Sequence, residues 1–94
     1  MERILVVEDE AKIARTVRLY LEQAGYQVIL IDDGALALPA FRTEHPDLVI
    51  LDLMLPHIKG RDICQQIRQI SGVPIIMLTA LTEESDRIVG LELG

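Results

Sequence analysis

Ninety-four residues, half of them apolar, suffice for one small core. Nine Lys and Arg against 15 Asp and Glu leave a net charge of −6, which argues against a nucleic-acid surface. No apolar run approaches the roughly 18 residues that cross a bilayer, the start Met1-Glu2-Arg3 is too quickly acidic for a signal peptide, and the lone Cys64 suits a reducing compartment. A cytoplasmic protein with no membrane contact is therefore expected.

The elements predicted from the pattern alternate between strand and helix. A first strand over about residues 3–8 leads into a helix near 11–24, where Ile13, Val17, Leu21 and Ala24 recur at helical spacing and Lys12, Arg15, Arg18 and Glu22 form the wet side. Gly25 supplies a left-handed stop. A second strand, 27–31, passes through Asp32-Asp33-Gly34 to a helix near 34–43. Pro39 within it predicts a kink or a helix that effectively begins there. The third strand, 47–52, is followed by a loop through Pro56 and Gly60. The next helix has Ile63, Ile67 and Ile70 on one face and Gly72 as its stop. Pro74 opens a fourth strand ending at Thr79. Thr82, Glu83 and Glu84 predict the start of a last helix that carries Ile88, Gly90 and Leu91 and ends at Gly94.

Strands joined by helices imply parallel pairing, right-handed crossovers and a three-layer sandwich. The runs Ile4–Val7, Leu48–Leu51 and Ile75–Leu78 are apolar throughout, as strands buried on both faces require. The first leads into Glu8 and Asp9, the second into Asp52 and the third into Thr79. Because functional crevices of open α/β sheets lie at the carboxyl ends of the strands, these four residues are expected to converge. Phosphate-cradling glycine loops, zinc-spaced Cys/His clusters and the G-x-S-x-G elbow are all missing. His45 and His57 read as surface residues. A cluster of acids repels itself unless a hard cation neutralises it, and Mg²⁺ takes oxygen ligands together with waters and phosphate oxygens. An Asp carboxylate is also a competent nucleophile towards phosphorus, and a hydroxyl such as that of Thr79 can bond a phosphoryl oxygen.

At these residues the chain resembles the receiver domain of two-component response regulators. The resemblance rests on ILVVEDE at the start, DDGALAL after the second strand, PDLVILDLMLPHIKG around Asp52, PIIMLTA at the fourth strand and RIVGLELG at the end. It covers the whole chain, so residues 1–94 are read as one receiver domain, and the wording of the last segment is most similar to receivers of winged-helix transcription factors. The resemblance implies a flavodoxin-like sandwich with strand order 2-1-3-4-5. It makes Asp52 the acceptor of a phosphoryl group from a sensor histidine kinase, a switch and not an enzyme. Mg²⁺ would be held by Asp9 and Asp52, by Glu8 through water and by the backbone carbonyl of Met54. Thr79 would be the switch hydroxyl, with Ala80 leaving room beside it.

Two departures from the family pattern stand out. Lys59 occupies a position that is usually acidic. In addition, receivers continue past the position of Gly94 into a fifth strand with a phosphoryl-contacting lysine and a fifth helix, and neither Lys12 nor Lys59, the two lysines here, matches that residue. The piece is therefore expected to be a receiver cut after its fourth helix, slow in phosphoryl transfer, with DNA reached only through an absent effector domain. Its fourth strand is expected to be an open edge that invites self-association. Two other readings stay open at this stage: a phosphorylation-incompetent assembly module, and a Mg²⁺-dependent phosphohydrolase, whose D-x-D pair Glu8-Asp9-Glu10 does not supply.

Overall fold

A computed structural model describes residues 2–53, 55, 58–78 and 88–92. The elements run β1 (Arg3–Val7), α1 (Ala11–Gln23), β2 (Gln27–Ile31), a 3-10 turn (Gly34–Leu36), α2 (Ala37–Glu44), β3 (Leu48–Asp52), α3 (Gly60–Arg68), β4 (Ile75–Leu78) and β5 (Ile88–Glu92). They form one five-stranded sheet of order β2-β1-β3-β4-β5. The first four strands are parallel, in the flavodoxin-like arrangement expected.

Side chains alternate across the central strands, and each face takes a helix layer. Leu5, Val7, Val49 and Leu51 pack with Ala37 and Phe41 of α2 and with Ile63 and Ile67 of α3. Ile4, Val6 and Ile50 face the other way, onto Val17 and Leu21 of α1. Full burial of each such aliphatic is worth about 1.5–3 kcal/mol, and these two apolar layers hold the β1 and β3 ends in register. The start of β1 is tied separately. The Arg3 amide donates to Asp47 Oδ2 at 2.9 Å, the Asp47 amide returns a bond to the Arg3 carbonyl at 2.7 Å, and the Arg3 guanidinium pairs with the Glu44 carboxylate.

Several boundaries differ from the sequence expectation. Pro39 causes no break: a 3-10 turn precedes α2, so Pro39 falls in the first helical turn, where its missing N–H has no partner to lose. Helix α2 stops at His45, which takes the left-handed conformation (φ 49°), and α1 stops before Gly25 at φ 98°, the left-handed stop expected. Helix α3 ends at Arg68, four residues before Gly72, so Ile70 sits in the turn beyond it and is 49% exposed.

The largest correction concerns residues 88–92. The last helix was expected to carry Ile88, Gly90 and Leu91, yet Ile88–Glu92 is a strand, antiparallel to β4, with Ile75 opposite Glu92 and Gly90 opposite Met77. The unpaired edge of β4 offers ladder hydrogen bonds that a short β-branched segment such as Ile88-Val89 satisfies readily. Consequently β4 is not the open edge that was expected. The residues at which that helix was to start, Thr82 to Glu84, lie outside the described residues.

Candidate functional site

The parallel ladder brings the ends of β1 and β3 side by side, with Val7 opposite Leu51. Glu8 therefore follows directly on β1 while Asp52 closes β3, and the Glu8 amide is anchored on the Ile31 carbonyl of β2 at 2.9 Å. One carboxylate oxygen from each of Glu8, Asp9 and Asp52 lies within 4.8 Å of the others. Glu8 and Asp52 are buried, at 4% and 8% exposure, and Asp9 opens to solvent. A cleft of about 300 Å³ adjoins the cluster, lined by Glu8, Asp9, Arg15, Leu30, Ile31 and Asp32 among others.

Burial drives the Glu8 carboxyl from 4.5 up to about 8, helped by its hydrogen bond to Asp52 and by the charges of Asp52 and Asp9, against a backbone bond at Glu10. Without a cation, Glu8 is mostly protonated at neutral pH and donates to Asp52. The donor set suits a hard divalent ion: three carboxylates with one side open to water, and a buried carboxyl whose ionised form a nearby positive charge would stabilise at neutral pH. Glu8, Asp9 and Asp52 are the residues that would hold it.

Leu53, directly after Asp52, is tied to both β4 and the start of α3. The Leu53 amide donates to the Leu78 carbonyl at 3.0 Å, and the Gly60 amide donates to the Leu53 carbonyl at 3.2 Å. A Cβ on Gly60 would lie 2.2 Å from the Asp52 carbonyl oxygen, so only glycine lets α3 begin there. Of the predicted site residues, Glu8, Asp9 and Asp52 are brought together; Met54, Pro56 and Thr79 lie outside the described residues. Lys59 is exposed and directly precedes α3. Sequence reasoning passed over Gly34. Its Cβ would stand 2.3 Å from Ile58 Cγ2, a contact between two loops that no local motif announces. It also passed over Arg15 and Asp32 as lining of the cleft, having read Arg15 as plain wet surface.

An α/β sandwich whose first four strands are parallel, with a carboxylate trio at the carboxyl ends of β1 and β3, is the arrangement of a receiver-type domain. The response regulator receiver domain family matches residues 4–94, and the chain belongs to it. It is 56% identical over 93 residues to a probable transcriptional regulator, ycf27, of Porphyridium aerugineum, covering 99% of this chain and 39% of that protein. It is 50% identical to the DNA-binding response regulator MtrA of Mycolicibacterium paratuberculosis, over 99% of this chain and 41% of that one. The chain thus spans about two fifths of the length of these relatives. Among solved structures, the response regulator TrrA of Thermotoga maritima, in complex with Mg²⁺ and a beryllium fluoride, superposes with a TM-score of 0.82 at 38% identity, over 87% of this chain and 72% of that chain. The BeF₃-activated receiver domain of Klebsiella pneumoniae RstA gives 0.82 at 32% identity, covering 88% and 71%.

Proposed function

We propose that residues 1–94 form a phosphoacceptor switch domain in which Asp52 receives a phosphoryl group from the phosphohistidine of a sensor kinase. The observation that carries this reading is the buried Asp52 carboxylate, held with Glu8 and Asp9 within 4.8 Å of mutual approach at the carboxyl edge of the sheet.

In the reaction an Asp52 carboxylate oxygen attacks phosphorus, the P–N bond breaks and its electron pair goes to the ring nitrogen; with the other ring nitrogen already protonated, the kinase histidine leaves as neutral imidazole and the product is an acyl phosphate. Asp52 is held by its place at the end of β3 and by the Gly60 closure behind its carbonyl, which fixes the backbone of the nucleophile before a phosphoryl group arrives. Mg²⁺, held by Glu8, Asp9, Asp52 and the Met54 carbonyl, would supply charge neutralisation for the incoming phosphoryl oxygens. Thr79 is assigned the switch hydroxyl that bonds a phosphoryl oxygen. Output, including any contact with DNA, would belong to the remainder of a longer protein such as the relatives are. Self-association through β4 is not part of the proposal, because β5 occupies that edge.

Intact mass after incubation with Mg²⁺ and a small acyl phosphate donor tests the assignment. One added phosphoryl group is expected on the chain and none on Asp52→Asn. An adduct that persists in Asp52→Asn would remove Asp52 from the role.

A further inference from the structure

The segment between β2 and α2 starts beside the Glu8 half of the acidic site and reaches Ile58, ahead of α3. At its start, the Ile31 carbonyl receives the Glu8 amide. Two residues on, Asp33 caps the 3-10 turn: its side chain accepts from the Ala35 amide at 2.9 Å and its carbonyl from the Leu36 amide at 2.9 Å. This double closure makes a firm platform of Gly34, which is buried.

Ile58 rests on that platform. A methyl group added at Gly34 would lie 2.3 Å from Ile58 Cγ2, 3.1 Å from Ile63 Cδ1 and 3.3 Å from the Ile58 carbonyl oxygen. Cγ2 is bonded to the Ile58 Cβ and is not the far end of a flexible chain. Relief by rotation would have to turn a half-buried β-branched side chain that is stiff at χ1. The other escape is movement of the Ile58 backbone, whose carbonyl oxygen also stands close to the added methyl. Two residues on from Ile58, Gly60 packs against the Asp52 carbonyl and donates to the Leu53 carbonyl. A displacement at Ile58 is therefore delivered two residues later to the acceptor aspartate.

We propose that Gly34 is a positioning residue for the phosphoryl site, seating Ile58 on its bare Cα and so holding the approach from Ile58 to Gly60, which packs against Asp52, in place. The inference rests on the reading of Glu8, Asp9 and Asp52 as the metal and phosphoryl site. It makes the β2–α2 junction the part of the domain, remote in sequence, to which the state of Asp52 is mechanically joined.

The test compares the wild-type chain with Gly34→Ala, Ile58→Ala and the double substitution. Mg²⁺ affinity is measured by calorimetry, and the amide resonances of Leu53 and Gly60 are followed in the metal-free protein. Gly34→Ala is expected to weaken Mg²⁺ binding about tenfold or more, as loss of a supporting contact behind a ligand does, and to shift both amides. Ile58→Ala, which empties the seat without a clash, weakens binding less. In the double substitution the methyl introduced at position 34 fills the space left by Ile58, so affinity and both amides return towards wild type.

A purely structural role for Gly34 would lower stability yet leave the Mg²⁺ affinity of the folded protein and the Leu53 and Gly60 amides unmoved, and that result overturns the proposal. So does a double substitution whose loss is the product of the two single losses. Should Gly34→Ala fail to fold, the comparison of the double with Ile58→Ala decides: equal or weaker Mg²⁺ binding in the double overturns the inference. A wild-type chain that takes up no Mg²⁺ would sink the proposed function, and the amide shifts and their recovery would then decide on Gly34 by themselves.

Discussion

Raising the pH of the metal-free protein from about 5.5 to about 8.5 destabilises it, the reverse of the usual acid-denaturation trend. The cause is Glu8, whose carboxyl titrates at about 8 in the folded chain, against 4.5 as its ordinary value. Between those values the native state holds one proton more than the unfolded state. The stability it contributes is complete below 4.5 and is lost as the pH rises through about 8. At about 1.4 kcal/mol per pH unit, the span from 5.5 to 8 removes on the order of 3 kcal/mol. That is a large share of the stability of a domain this small. The assay is urea unfolding followed by far-UV circular dichroism at both pH values, in chelator, with Glu8→Gln in parallel. The glutamine amide keeps a donor towards Asp52 without a titrating proton, so its stability should be level across the window. Saturating Mg²⁺ should restore stability to the wild type at high pH by binding the ionised cluster. A wild-type stability that is flat or rises with pH, or a Glu8→Gln protein that keeps the full slope, refutes the reasoning.

Two further outcomes follow from the backbone. Gly60→Ala places a methyl 2.2 Å from the Asp52 carbonyl oxygen and 3.0 Å from its carbonyl carbon. Neither is the end of a flexible side chain, so a loss of about 3 kcal/mol is expected in urea unfolding; an unchanged midpoint would show that the turn relaxes freely. His45→Gly goes the other way. Its left-handed conformation (φ 49°) strains any Cβ, and the side chain is exposed. A gain of about 0.5–1 kcal/mol is expected by thermal or urea unfolding, and a loss would mean that the imidazole makes a contact worth more than the strain.

The four parallel strands and the acidic trio were legible in the sequence because each is written locally. An unbroken run such as Ile4–Val7 or Leu48–Leu51 states double-sided burial, and the acid at its end then has one place to go. Helix ends were legible only where a residue enforces them, as Gly25 does. The end of α3 was misplaced because Ile70 fits the helical period while the chain had already turned at Arg68. Residues 88–92 were misread for a different reason. Thr82, Glu83 and Glu84 give sound local helix signals, but the identity of 88–92 is decided by a non-local partner, the vacant edge of β4. The role of Gly34 was hidden likewise: what distinguishes it from a generic turn glycine is Ile58, distant in sequence, arriving above it.

Because β5 runs antiparallel to β4, its last residue, Glu92, stands beside Ile75 at the amino-terminal end of β4, whereas Asp52 stands beside Leu78 at the carboxyl-terminal end. Polypeptide or a dye joined after residue 92 thus starts from the side of the sheet opposite the carboxylates. A label attached at the end of β5 can then report on the domain while leaving the acidic cleft uncovered.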